Sequence, residues 1–125
     1  MTGPSPLLRA AAVNGAAAVA LGAFGAHGMK ARLINEPARS AAWATASSYQ
    51  LGHALAAAVA ALPDASAAGR RLLAPRASMA LTAGSLLFSG SLYAYAASGV
   101  RGVAAGAPVG GAIMVAGWLA LAAGV

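Results

Sequence analysis

Four stretches of roughly twenty residues contain no Asp, Glu, Lys or Arg, and all ten charged side chains fall before or between them. A helix crossing a bilayer needs about 20 mostly apolar residues at 1.5 Å each. The stretches run over about 10–28, 41–62, 77–98 and 108–125. Backbone groups in lipid must be satisfied within their own segment, so each stretch is expected to be helical. Pro63 and Gly99 close the second and third, and Pro108 opens the fourth at a favourable first-turn position. The expected fold is an all-α membrane protein, a single domain over 1–125 with four transmembrane helices in an antiparallel bundle. Short connectors favour neighbouring helices that pack in sequence order.

Composition excludes most alternatives. Of 125 residues, 60% are hydrophobic and 8% charged, with mean hydropathy +0.74. A soluble domain carries about a quarter charged residues, and an Ala-rich soluble bundle would need a charged face that no segment offers. Disordered chains are polar and charged. The absence of cysteine removes thiolate catalysis and Cys-ligated metals. The net charge of +6 is spread over connectors, leaving no basic helix to grip nucleic acid. Met1 to Leu8 carries neither a charged residue nor a cleavage pattern, so no presequence is expected there. Arg9, Arg70, Arg71 and Arg76 would lie on one membrane side and Lys30, Arg32, Arg39 and Arg101 on the other. That tie leaves the orientation open.

Within the first span, Gly15, Ala18 and Gly22 share one helical face. Small residues let helices approach where lipid removes the hydrophobic drive, so this span is expected to make the closest helix–helix contacts. Gly110 and Gly117 repeat the device in the fourth span, and Gly84 in the third. Ser78, Thr82, Ser85 and Ser89 form a hydroxyl face on the third, read as packing rather than a water path.

The second span is the most polar. Tyr49 and His53 lie one turn apart, and an intramembrane histidine is a functional suspect. Its expected state is neutral and buried, bonded to Tyr49 or to a third-span hydroxyl; the alternative is a proton or solute path. His27 lies roughly 18 Å from His53 in depth, so the two are not expected to share a metal. Glu36 and Asp64, the only acids, fall in connectors on opposite sides, which leaves no paired-carboxylate or Ser-His-Asp arrangement. No enzyme activity, catalytic residue, metal or cofactor is expected. Arg70, Arg71 and Arg76 cluster at one surface. They are candidates to hold an anionic phospholipid, cardiolipin if the membrane is mitochondrial, and a solvated connector is the alternative.

Four blocks carry a family likeness: LGAFGAHG (Leu21 to Gly28), WATASSYQLGHALA (Trp43 to Ala56), FSGSLYAYA (Phe88 to Ala96) and APVGGAIMVAGWLAL (Ala107 to Leu121). In this order they resemble the transmembrane-protein-256-like family, whose bacterial relatives are filed as domain of unknown function 423. Trp43 resembles the eukaryotic, mitochondrial branch, with the bacterial inner membrane as the alternative location. The resemblance implies a mitochondrial inner-membrane protein, an accessory subunit of the membrane arm of respiratory complex I. Its partners would then be other membrane-protein subunits. A small oligomeric transporter or permeability factor is the competing reading.

Overall fold

A proline in the first turn opens each of the first three long helices, where its missing N–H costs nothing. The computed structural model describes residues 3–69 and 71–125. Helix α1 spans Pro6–His27, a short α2 Lys30–Leu33, α3 Pro37–Ala60, α4 Pro75–Ser98 and α5 Gly106–Ala123, the last led in by a 3₁₀ turn at Arg101–Ala105. Helix α1 starts four residues before the expected span because Ser5 caps it, its hydroxyl accepting from the Leu8 N–H at 3.2 Å. Helix α4 stops at Gly99, whose φ of 74° lets the chain leave in the left-handed region. No strand occurs among the described residues. The α3–α4 connector forms a small hairpin in which Asp64 N–H donates to the Arg71 carbonyl at 2.8 Å and Leu73 N–H to Leu62 at 2.9 Å.

Contacts between the long helices fix their directions. Gly15 faces Ala54 and Gly22 faces Ser47, so α1 and α3 run antiparallel. Ser78 bonds to Ala57 and Ser89 to Ala46, which makes α4 antiparallel to α3. Gly84 faces Met114 and Leu81 faces Gly117, and α5 is antiparallel to α4. Helix α4 is packed between α3 and α5, while α1 lies on α3 and touches α4 lightly.

The closest backbone approach is not on α1. A Cβ at Gly15 or Gly22 would stand 3.7 or 3.6 Å from its nearest neighbour, ordinary contact. At Gly84 it would lie 2.8 Å from the Met114 backbone nitrogen, and at Gly110 it would lie 2.8 Å from the Gly84 carbonyl oxygen. The expectation that the first span packs most tightly is therefore corrected. Two glycines at one depth on facing helices bring α4 and α5 together, whereas on α1 each small residue meets a side chain.

Among the described residues, two helices are both long and apolar enough to cross a membrane, Pro6–His27 and the continuous stretch Arg101–Ala123, each with a mean hydropathy of 1.6. Helices α3 and α4 have the length, at 24 residues each, but their Ser, Thr, Gln and His side chains lower the apolarity. The two apolar helices are only 17% and 22% buried, and Val13, Val19, Leu55, Val115 and Leu119 stand at 60% exposure or more. A core helix of a water-soluble protein would hide these side chains. The interior is correspondingly thin, and three of its four largest fully buried side chains are serines: Ser78, Ser85 and Ser89, beside Leu81.

Trp43 supplies a large aromatic contact between α1 and α3, its ring centroid 6.0 Å from that of Phe24. Its indole N–H donates to the Leu21 carbonyl at 2.8 Å, and the ring lies directly over Gly25, where a Cβ would overlap it. Tyr93 meets the ring edge-on, centroids 4.7 Å apart. Gly25→Ala is expected to dislodge the indole and lower stability by about 1–3 kcal/mol, the usual range for overpacking. The check is thermal unfolding in detergent together with near-ultraviolet circular dichroism in a Trp118→Phe background; an unchanged midpoint and spectrum would refute the contact.

Candidate functional site

Polar side chains from α1, α3 and α4 meet in the interior and bond in one continuous chain. The Tyr93 hydroxyl donates to Gln50 Oε1 at 2.8 Å. Gln50 Nε2 donates to Asn14 Oδ1 at 2.9 Å, and Asn14 Nδ2 donates to Ser85 Oγ at 3.0 Å. The Ser85 hydroxyl then donates to the Thr82 carbonyl at 3.1 Å. Asn14, Gln50 and Ser85 are buried, so each bond replaces one that water would otherwise make. Every donor points the same way along the chain. Its two central links are amides, which neither take up nor release a proton near neutrality. The arrangement fixes three helices relative to one another and offers no acid–base relay.

Two further hydroxyls of α4 cross to α3. Ser78 Oγ donates to the Ala57 carbonyl at 2.9 Å and Ser89 Oγ to Ala46 at 2.7 Å. Arg39 supports the other end of the same pair. Its Nε and Nη2 donate to the Ala96 and Ala97 carbonyls at 2.8 and 3.0 Å, placing a cation on the carbonyl-rich C-terminus of α4.

Tyr49 and His53 lie outside this chain. The rings stack with centroids 5.7 Å apart, and His53 Nδ1 is 2.7 Å from the Tyr49 backbone carbonyl. The Trp118 indole donates to His53 Nε2 at 3.1 Å. An indole has only a hydrogen to give, so Nε2 is the acceptor and the proton sits on Nδ1. The surroundings of the ring differ from those expected. His53 is half-buried, and its partners are the Tyr49 main-chain carbonyl and Trp118 of α5 rather than a hydroxyl of α4. Tyr49 and Trp118 are about half exposed, with Phe88 against Tyr49 at 4.8 Å.

Among the remaining candidates, Ala18 is buried on α1, between the Gly15 and Gly22 contacts with α3. Arg71 and Arg76 line one open cleft of about 590 Å³ with Asp64 and Val125, beside the first turn of α4. Arg70 lies outside the described residues. The Asp64 carboxylate accepts from the Ser66 hydroxyl at 2.6 Å and its backbone N–H at 2.9 Å, which holds its pKa below the usual 3.8. A lowered carboxylate pKa stabilises the turn above its unfolded value, so this ordering is lost only as pH falls through the lower, folded value. Among the described residues no three His, Cys, Asp or Glu side chains are grouped to hold a metal ion.

Sequence reading overlooked Asn14, Arg39 and Trp118. Asn14 is the only Asn, Gln or hydroxyl-bearing residue in α1, a signal that could have marked it. Its partners, 36 and 71 residues away, follow from no local spacing.

Residues 21–111 match the family model described as "Protein of unknown function (DUF423)". The chain is 36% identical over 110 residues to a UPF0382 membrane protein of Staphylococcus epidermidis, covering 88% of this chain and 86% of that protein. It is 38% identical over 114 residues to one from Haemophilus influenzae, covering 90% and 87%. A Schizosaccharomyces pombe member is 33% identical over 113 residues, covering 86% and 91%. No solved structure matches the chain. The curated relatives carry the name membrane protein, in agreement with the exposed apolar helices described above, and the chain is an integral membrane protein belonging to the DUF423 (UPF0382) family.

Proposed function

We propose that all four long helices cross the bilayer as an antiparallel bundle, and that the protein is a non-catalytic subunit stabilising a multi-subunit membrane complex. The observation that carries this reading is the Tyr93–Gln50–Asn14–Ser85 chain. Asn14, Gln50, Ser78, Ser85 and Ser89 spend their buried polar groups on joining helices, and none of these side chains titrates near neutrality. The outer surface, rich in Val, Leu and aromatic side chains, suits lateral packing against larger helical subunits. Relatives from Staphylococcus, Haemophilus and Bacillus support a host in a bacterial inner membrane. The membrane arm of mitochondrial complex I is the host that the family resemblance implies.

The test is native electrophoresis of mildly solubilised membranes with mass spectrometry of each band. The expected result is co-migration in a high-mass complex that loses stability when the chain is deleted. Migration as a small homo-oligomer, with solute flux through reconstituted vesicles, would overturn the proposal in favour of a transporter.

In the same reading, an anionic phospholipid lies against the cleft of Arg71 and Arg76. A basic group near an anionic surface is worth about 1 kcal/mol, so Arg71→Ala and Arg76→Ala should each lower retained anionic lipid about fivefold in native mass spectrometry. Lys replacements keep the charge and lose less. Unchanged lipid content would reduce the pair to ordinary surface charge.

A further inference from the structure

Because α1 rests on α3 and only brushes α4, an open groove of about 410 Å³ runs between α1 and α4. Arg9, Ala10, Val13 and Ala17 line it on one side, Thr82 and Leu86 on the other. Helices α1 and α4 both oppose α3 and so run in the same direction. Asn14 bonds to Ser85 across them, which sets their relative depth: Thr82, three residues before Ser85, stands level with Ala11. The groove therefore has a polarity. Arg9 is at its mouth, Thr82 about 3 Å below it by helical rise, and Val13, Ala17 and Leu86 form the apolar walls deeper still.

The Thr82 hydroxyl is buried and has no hydrogen-bond partner. A buried donor without an acceptor is destabilising, and the serines at Ser78, Ser85 and Ser89 on the same helix all have acceptors. Thr82 alone is next to the groove and alone lacks one.

We infer that this groove holds one diacyl phospholipid, with its phosphate on Arg9, an ester carbonyl accepting from Thr82, and an acyl chain along Val13, Ala17 and Leu86. The inference rests on α4 as well as α1 lying in the bilayer. The order of cation, hydroxyl and hydrocarbon matches the order of phosphate, ester and acyl chain in a phospholipid. The long Arg9 side chain carries its charge up to the headgroup level while its methylenes cover the mouth. In the lipid-bound state a change of χ1 rotamer would turn the Thr82 hydroxyl, buried in this structure, to the groove surface.

The experiment reconstitutes the full chain in phosphatidylcholine vesicles doped with a phosphatidylglycerol carrying a photoreactive diazirine in one acyl chain, and maps the adducts by mass spectrometry. Adducts are expected to concentrate on Val13, Ala17 and Leu86, above Leu55 and Leu119, which are each 67% exposed. Arg9→Gln should reduce groove labelling about fivefold, the equivalent of one basic contact at the surface, and Arg9→Lys should restore most of it. Ala17→Phe fills the groove from its open side and should have at least the effect of Arg9→Gln. Thr82→Val should abolish any preference for ester-linked over ether-linked probe. Labelling of Leu55 and Leu119 reports that each variant is folded and embedded. If those two label and the groove residues label no more than their exposure accounts for, or if Arg9→Gln and Ala17→Phe change nothing, the groove site is refuted and the four-span reading stands. If Leu55 and Leu119 also escape the probe, the four-span reading fails and takes this inference with it.

Discussion

Gly110→Leu is expected to prevent accumulation of the folded protein, whereas Gly22→Ala leaves its level and thermal midpoint close to wild type. The difference lies in what an added side chain would meet. A Cβ at Gly110 points into the α4 backbone, 2.8 Å from the Gly84 carbonyl oxygen and 2.8 Å from the Phe88 Cα, with the Phe88 nitrogen nearer still. Main-chain atoms within a helix cannot turn aside as a side chain can, so the two helices must separate. A Cβ at Gly22 meets only Ser47, at 3.6 Å. Overpacking typically costs about 1–3 kcal/mol, and separating α4 from α5 also removes dispersion contacts that lipid does not restore selectively. Membrane-fraction abundance and thermal unfolding in detergent provide the check. Gly110→Leu protein as abundant and as stable as Gly22→Ala protein would show that α4 and α5 are not joined at this point.

Gln50→Leu should be the next most damaging change, because one side chain serves two helices. Its removal leaves the Tyr93 hydroxyl without its acceptor and Asn14 Oδ1 without its donor. Unsatisfied buried groups cost about 1–3 kcal/mol each, while interhelical hydrogen bonds in membranes average nearer 0.6 kcal/mol, so a loss of about 2 kcal/mol is expected for the pair of groups. Ser89→Ala is the contrast. The Ala46 carbonyl that accepts from Ser89 remains inside α3 with its helical partner, so its loss should fall near the smaller figure. Double-mutant cycles combining Gln50→Leu with Asn14→Leu and with Tyr93→Phe measure the coupling directly. Strict additivity of the single losses would show that the bonds act separately and that no chain exists.

Helix positions were legible in the sequence because charge-free runs, Pro63, Gly99 and Pro108 act locally. So was the hydroxyl face of α4, since Ser78, Ser85 and Ser89 repeat at helical spacing. Partners were not legible. Periodicity shows that Gly15, Ala18 and Gly22 share a face, but not that the opposing α3 face carries side chains at Ser47 and Ala54. Gly84 and Gly110 each look like one more small residue until antiparallel packing sets them opposite one another. His53 attracted attention as an ionisable group in an apolar segment, yet its partner Trp118 is 65 residues away. Asn14 drew none, because an amide does not titrate and a single one forms no pattern.

The buried amide of Asn14 also constrains the order in which the chain can enter its membrane. Helix α1 is synthesised first and is apolar enough to insert alone, but alone it would hold a primary amide about 12 Å along its length with nothing in hydrocarbon to bind. The donor it needs arrives on Gln50 of α3 and the acceptor on Ser85 of α4. In the proposed four-span arrangement, insertion of α1 is therefore only provisional until α3 follows, and the pair is better delivered to lipid as a hairpin than one helix at a time. Release from the insertion machinery would then wait on α4, the segment that closes the last of these bonds.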